Sequence, residues 1–94
     1  MEFLVHIEVH RPPGATDLEA EELSAAEKVR AVELIKDGML QRVWRIPGQW
    51  AHWGLWEAAD PTELHAAIST LPLWKWMKVQ VHPLARHALD PGSG

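Results

Sequence analysis

The sequence lacks cysteine altogether, so disulfide bonds and thiolate chemistry are excluded and the redox compartment stays undetermined. It also lacks an apolar run near the roughly 20 residues that a membrane-spanning helix needs, and it shows no signal peptide at its start. We therefore expect a cytoplasmic protein with no membrane partner. Positive charge is scarce as well, because nine Lys and Arg face thirteen Asp and Glu, for a net charge of −4. This balance argues against a nucleic-acid partner, since phosphate binding needs a basic face.

Tryptophan, by contrast, is abundant, and four of the six tryptophans lie within residues 44–56. Pro47 and Gly48 form a turn signal between two bulky apolar arms, so this segment predicts a β-hairpin. Successive strand residues point to opposite faces, and both faces of this hairpin carry large apolar groups. Such a hairpin needs a cover on each face, and a chain of 94 residues easily supplies only one. The hairpin therefore predicts a homo-oligomer.

Two elements are predicted before the hairpin. Apolar residues alternate over residues 3–9, which indicates a first strand. A long helix is predicted over residues 17–37 and ends at Gly38, the residue favoured just past a helix C-terminus. Its apolar side chains lie on two sides, which is typical of a helix that contacts two neighbours. We expect these to be its own sheet and another subunit.

Two further elements are predicted after the hairpin. The first arm of the hairpin covers residues 39–45, and its second arm ends near residue 57. Asp60-Pro61-Thr62-Glu63 combines a capping residue with proline at the first helical position and predicts a second helix. Pro72 stops that helix. A last strand is predicted over residues 76–81, and the chain is expected to be irregular from Pro83.

The resulting order, βαββαβ, predicts an α+β domain of the ferredoxin-like type over residues 1–89, with a mobile tail over residues 90–94. Its antiparallel four-stranded sheet carries both helices on one face and leaves the other face bare. The economical cover for that face is the same face of a second subunit. The fold therefore predicts a dimeric α/β barrel.

Two titratable residues are candidates for proton chemistry. Glu27 projects from an apolar side of the first helix, and burial raises the pKa of a carboxyl group, which suits proton transfer near neutrality. The alternatives for Glu27 are an ion pair with Arg30 or exposure at an edge. His52 lies mid-strand among tryptophans, and its alternative role is that of a hydrogen-bonded packing residue.

The other histidines do not form a zinc pattern, because no pair on a predicted helix has i, i+4 spacing and no carboxylate cluster joins them. His6 and His10 share a strand face with Glu8, which is a conceivable metal site. The plainer interpretation is a solvated or barrel-lining face. No metal site is predicted.

Short blocks of sequence, in order and at matching spacing, carry a family resemblance over nearly the whole chain. They are Glu27-Lys28, Gly38, Trp44-Arg45-Ile46, Gly48, Ala51, Leu64-His65, Leu71-Pro72-Leu73, Met77, Val81, Leu84 and Arg86-His87. On these blocks the chain resembles the muconolactone isomerase family, cofactor-free enzymes of the β-ketoadipate route of aromatic catabolism. The resemblance implies a ferredoxin-like fold, subunits that pair and assemble into a decamer, and pockets that neighbouring subunits and C-terminal tails close.

The resemblance also implies a reaction, the conversion of muconolactone to the 3-oxoadipate enol-lactone. A base removes the γ-proton, a dienolate forms, and the α-carbon is reprotonated. On the matching positions Glu27 becomes the candidate proton shuttle, and Lys28 would bind a carboxylate or hold Glu27 in its working state. Arg45 or Arg86 would hold an anionic substrate group, and an anchor for the tail is the equal alternative for Arg86.

The second hairpin arm and the segment 74–76 are bulkier than expected for the family, which favours a larger or more aromatic substrate. The complete prediction assigns catalysis to Glu27, Lys28 and His52, and substrate binding to Trp44, Arg45, Trp50, Trp53, Trp56 and Arg86. Two alternatives stay open. One is a cyclase or cofactor-independent oxygenase acting on a larger aromatic substrate in natural-product biosynthesis. The other is a haem or small-molecule binding module with His52 or His65 as the ligand.

Overall fold

The chain folds in the predicted βαββαβ order, as seen in a computed structural model that describes residues 1–92. The sheet is antiparallel with strand order β2-β3-β1-β4, which confirms the ferredoxin-like prediction. The elements are β1 (Glu2–Val9), α1 (Asp17–Lys36), β2 (Leu40–Arg45), β3 (Ala51–Glu57), α2 (Pro61–Ile68) and β4 (Met77–Leu84), with a short 3-10 turn at Trp74–Trp76.

Strand β1 is the centre of both the sheet and the core. It pairs with β3 on one side and with β4 on the other. The side chains of Phe3, Val5 and Ile7 are fully buried on one face of β1, since period-two alternation turns them all the same way. Leu34 of α1 and Leu64 of α2 join the same buried cluster. Both helices therefore cover this face of the sheet.

Helix α1 has a side-chain cap at its N-terminus and a glycine just past its C-terminus. The Glu19 N–H donates to the Thr16 hydroxyl at 3.1 Å, a cap that stabilises a helix by about 1 kcal/mol. Gly38 follows the helix with φ of 79°, a conformation that favours glycine. The predicted second apolar side is present and exposed, at Leu18, Val29, Val32 and Ile35. Its cover by a neighbouring subunit stays a prediction.

Helix α2 begins as predicted, because the Glu63 N–H donates to the Asp60 carboxylate at 2.8 Å. Strand β4 differs from the prediction, since it begins at Met77 and continues through Pro83 to Leu84. Proline is tolerated there because β4 is an edge strand, where one side of the strand needs no ladder hydrogen bonds. Edge position depends on the sheet order, which the local pattern around Pro83 does not reveal.

The tryptophan hairpin turns at Gly48, where φ is 77°. As predicted, it places large apolar side chains on both faces of the sheet. Trp56 is 1% exposed on the helix side. On the reverse face, Trp53 contacts His6 and His82, with ring centroids 4.9 and 5.9 Å away. The two helices cover only the Trp56 side, so the proposed pairing of the reverse face with a second copy stays a prediction.

The chain beyond β4 is described as far as Gly92, whose N–H donates to the Asp90 carboxylate at 3.0 Å. Residues 93 and 94 of the predicted mobile tail lie outside the described residues. The tail's mobility and the domain boundary at residue 89 stay predictions. Within residues 1–92, neither helix is long and apolar enough to cross a membrane.

Packing of the hairpin depends on the absence of a side chain at Gly54. A Cβ there would lie 2.8 Å from Trp56 Nε1 and 3.2 Å from Trp56 Cδ1. The indole is fully buried and its Nε1 has no hydrogen-bond partner within residues 1–92, so it cannot swing into solvent without exposing the core. The indole of Trp56 therefore packs in the space that a side chain at position 54 would fill.

We expect Gly54→Ala to destabilise the fold by about 1–3 kcal/mol, the usual cost of overpacking a core. In a domain of this size, each kcal/mol lowers Tm by about 4–8 °C. Thermal unfolding followed by circular dichroism measures the change. Gly14→Ala is the matched control, because a Cβ at Gly14 meets nothing within 4 Å. Equal Tm values for the two variants would contradict this account of the hairpin.

Candidate active site

A cavity of about 780 Å³ opens between α1 and one end of the sheet. At this end β1 and β2 finish while β3 and β4 begin, so the antiparallel topology brings four chain segments together. The volume lies within the range of about 300–1,000 Å³ that is typical of small-molecule sites. Its lining residues are Val9, His10, Arg11, Ala20, Ser24, Glu27, Arg45, Trp50, Ala51, His52, Leu73, Trp76 and Met77.

Glu27 enters the cavity from α1 and is half-buried. Burial raises the pKa of its carboxyl group, and a hydrogen bond from the Leu73 N–H partly opposes the rise. This bond is 3.0 Å long and goes to Oε1. The alternative ion pair with Arg30 is not formed, because that guanidinium donates to Thr70 Oγ1 at 2.8 Å and lies 3.7 Å from Glu33. Glu27 is thus a partly desolvated carboxylate, and one of its oxygens accepts a hydrogen bond from the backbone.

His52 enters the same cavity from β3 and is also half-buried. Burial is the main cause that lowers the pKa of its imidazole, and electrostatic interactions with Arg45 and His6 lower it further. At neutral pH the imidazole is therefore neutral, with one N–H donor and one acceptor nitrogen. Its cross-strand partner is Arg45, which lies beside it on the same face of the sheet.

Arg45 and Trp50 form the rim of the cavity on the hairpin side. Arg45 is the exposed last residue of β2. Trp50 is 81% exposed, while its carbonyl accepts a hydrogen bond from the Val9 N–H at 2.9 Å. That bond fixes the backbone that carries the indole. The rim therefore offers a cation and a large apolar surface to an incoming ligand.

Five predicted site residues lie elsewhere in the described chain. Lys28 lines an adjoining shallow groove with Asp17 and Glu21, because neighbouring helix residues diverge by about 100°. Trp44 and Trp53 lie on the reverse face of the sheet, since their register with β3 and β1 places them beside His6. The indole of Trp56 is in the core, and Arg86 follows β4 at the opposite end of the sheet, against Met1 and Glu57.

Several lining residues were missed in the sequence. Leu73, Trp76 and Met77 come from the segment before β4, and Arg11 follows β1. Leu73 and Met77 belong to the blocks that carry the family resemblance, and Trp76 belongs to the segment 74–76 that is bulkier than expected for the family, whereas Arg11 carried no sequence signal. Arg11 is held by bonds from its guanidinium to the Ala15 carbonyl at 3.0 Å and the Asp17 carboxylate at 2.7 Å.

The remaining histidines offer no metal centre. His10 Nε2 lies 2.9 Å from Glu8 Oε2, and His6 Nδ1 lies 4.0 Å from Glu8 Oε1. Within residues 1–92, no group of three or more His, Cys, Asp or Glu side chains is arranged to hold a metal ion. His65 is exposed and packs edge-to-face on Trp74, with ring centroids 5.6 Å apart.

The comparison with known proteins is decisive for the family. The family model for muconolactone delta-isomerase matches residues 1–90. The chain belongs to the muconolactone delta-isomerase family. Among its relatives, the muconolactone delta-isomerase of Cupriavidus pinatubonensis is 34% identical over 87 residues, which is 93% of this chain and 95% of the relative. That of Acinetobacter baylyi is 33% identical over 87 residues, with 93% and 91% covered.

Solved structures agree with this family. The crystal structure of a muconolactone isomerase superposes with a TM-score of 0.91 at 31% identity, covering 100% of this chain and 98% of that one. A 5-chloro-2-hydroxyhydroquinone dehydrochlorinase from Burkholderia phenoliruptrix has a TM-score of 0.63 at 16% identity, with 93% and 96% covered. The second likeness extends to the fold alone. The predicted family and fold are both confirmed.

Replacement of Glu27 by Gln tests the desolvation of its carboxylate. A carboxyl group whose folded-state pKa is raised costs stability above that pKa, where the folded protein must hold the charge. We expect Glu27→Gln to have a Tm equal to or above that of the wild type at pH 7, because the amide oxygen can still accept from the Leu73 N–H. The difference shrinks as pH falls through the raised pKa, since the wild-type carboxyl becomes neutral too.

Paired thermal scans from acid to neutral pH measure this difference. Glu22→Gln is the control, since Glu22 is exposed on the same helix and lies outside the cavity. A Glu27→Gln protein clearly less stable than wild type at pH 7, with Glu22→Gln unchanged, would show that the carboxylate is stabilised rather than strained by its surroundings.

Proposed function

We propose that this chain shifts the ring double bond of muconolactone to give the 3-oxoadipate enol-lactone, with Glu27 as the proton shuttle. The observation that carries the proposal is the carboxylate of Glu27, half-buried in a cavity and held by the Leu73 N–H at 3.0 Å. The names of the relatives support the substrate. They favour an isomerase over a cyclase, an oxygenase or a haem-binding module.

The reaction needs one group that accepts and returns a proton. Ionised Glu27 takes the γ-proton of the lactone, and the electrons of the broken C–H bond move through the ring to the carbonyl oxygen. The resulting dienolate collapses as the new carboxylic acid returns the proton to the α-carbon. The carboxylate is regenerated, so no external acid, base or oxidant is consumed.

The surroundings of Glu27 suit both steps. A raised pKa makes the carboxylate a stronger base, and general acid–base catalysis is most efficient when the pKa of the catalytic group lies near the working pH. The Leu73 N–H binds only Oε1. Oε2 is therefore available for the substrate, and the bond fixes the direction in which the carboxylate points.

Arg45 is the candidate anchor for the substrate's carboxylate. It lies on the rim of the cavity, and a guanidinium matches a carboxylate through two parallel hydrogen bonds. Arg86 is the other predicted anchor. Within one chain it lies beyond the far end of β4, about 25 Å from the cavity at the usual rise of about 3.3 Å per strand residue. Arg86 can serve a cavity only through another subunit.

We also propose that the chain acts as a homo-oligomer, built from dimers and completed as a decamer. Two uncovered surfaces support this. One is the reverse face of the sheet, and the other is the exposed apolar side of α1. Exposed apolar patches of this kind mark protein interfaces. The sheet surface is formed by Trp44 and by Trp53 with its ring contacts to His6 and His82. The helix surface is formed by Val29, Val32 and Ile35.

We expect Glu27→Gln to reduce turnover of muconolactone at least a hundredfold, the usual scale of a general acid–base contribution. A steady-state assay of the purified protein measures this, with size-exclusion chromatography to verify that assembly is unchanged. Glu22→Gln, on the same helix, should retain wild-type activity. A fully active Glu27→Gln protein would remove Glu27 from the mechanism.

The pH dependence of turnover provides a second test. Only ionised Glu27 can accept the γ-proton, so kcat should fall as pH falls through the pKa of Glu27. Because burial raises that pKa, the decline begins at a higher pH than the pKa of an ordinary glutamate would allow. A profile that stays flat down to the ordinary glutamate range is incompatible with a desolvated base.

A further inference from the structure

The proposed reaction places a negative charge on the lactone carbonyl oxygen, and Glu27 cannot stabilise it. An oxyanion without a donor in a half-dry cavity is costly, and preorganised hydrogen-bond donors are the usual remedy. The base approaches one face of the ring, whereas the carbonyl oxygen lies in the ring plane, so a second group beside the ring is needed as the donor. The wall opposite α1 is the sheet, which presents His52 and Arg45.

We propose that His52 donates a hydrogen bond to the lactone carbonyl oxygen and stabilises the dienolate while Arg45 binds the substrate's carboxylate. This assignment rests on the function proposed above and names the two contacts that orient the substrate. It makes His52 a catalytic residue, because its imidazole touches the atom on which charge develops.

The register of the hairpin supports this division of roles. His52 and Arg45 are directly opposed across β3 and β2, so their Cα atoms are about 4.5–5.5 Å apart and their side chains share one face. A lactone ring with a short carboxymethyl arm spans two such neighbouring groups. The exposed guanidinium suits the two oxygens of the arm, and the half-buried imidazole suits the single carbonyl oxygen.

Two other titratable or charged donors at the cavity are already engaged. The guanidinium of Arg11 donates to Ala15 and Asp17, and His10 is bonded to Glu8. The imidazole of His52 has no hydrogen-bond partner within residues 1–92. Ser24, Trp50 and Trp76 also line the cavity, but His52 is the half-buried strand residue that lies directly opposite Arg45.

The protonation state of His52 agrees with donation rather than proton transfer. Burial lowers the pKa of its imidazole, and so do electrostatic interactions with Arg45 and His6, so the ring is neutral at neutral pH. A neutral imidazole can donate one hydrogen bond without surrendering its proton to the dienolate. The titratable and charged groups around it are Glu27 on α1, Arg45 on β2, and His10 and Arg11 after β1, with His6 acting from the reverse face of β1.

Two substitutions at His52 separate this role from packing. His52→Leu fills similar space without a donor, and His52→Gln restores an N–H donor. We expect the Leu variant to lose about 10²–10³-fold in kcat, the usual effect of removing one oxyanion donor. Its KM should change only a few-fold, because the bond strengthens as charge develops. The Gln variant should recover at least tenfold of the loss. His52→Ala replaces the Leu variant should that protein not fold.

The same assays distinguish the possible failures. A Leu variant with wild-type kcat overturns the proposal, and so does a loss confined to KM, which would indicate ground-state binding alone. If both variants lose activity equally and Glu27→Gln stays active, His52 is the base and the assignment is wrong. Absence of muconolactone turnover by the wild type would instead overturn the proposed function, whatever the His52 variants do.

Discussion

The hydrogen bond between the Leu73 N–H and the Glu27 carboxylate is the contact on which the candidate site depends. It joins residues 46 positions apart in sequence, one on α1 and the other in the segment that leads into β4. The bond lowers the pKa that burial raises, so the carboxyl remains ionisable in a half-buried position. It also holds one carboxylate oxygen of Glu27, which lines the cavity. Without this bond, the desolvated carboxylate would have neither a fixed direction nor compensation for its burial.

The hairpin serves three different surfaces with one short stretch of sequence. Trp56 packs in the core against Gly54, Trp53 lies on the reverse face of the sheet, and Trp50 lies on the rim of the cavity. Strand parity separates the first two, because residues 53 and 56 have opposite parity. His52 faces the cavity for the same reason that Trp56 faces the core. The cluster of tryptophans is therefore not one aromatic pocket.

Much of the fold could be predicted from local patterns. Alternation identified β1, and the residues Asp60 and Gly38 identified helix ends, because capping requires particular side chains or a particular φ. Pro83 misled the prediction because its tolerance depends on β4 being an edge strand, which is a property of the whole sheet. The site was predictable only in part. Glu27 and His52 stood out as polar groups in apolar settings, whereas Leu73 contributes through a contact between distant segments that no local pattern encodes.

The central claim is that Glu27 is a partly desolvated carboxylate that ionises at a higher pH than an ordinary glutamate. Difference infrared spectroscopy, wild type minus Glu27→Gln, follows the carboxylate band of this one residue as pH rises. The account predicts that the band appears only above the ordinary glutamate pKa, in line with the effect of burial. A band fully developed at or below the ordinary value would contradict the account, because such a carboxylate would be a solvated surface group.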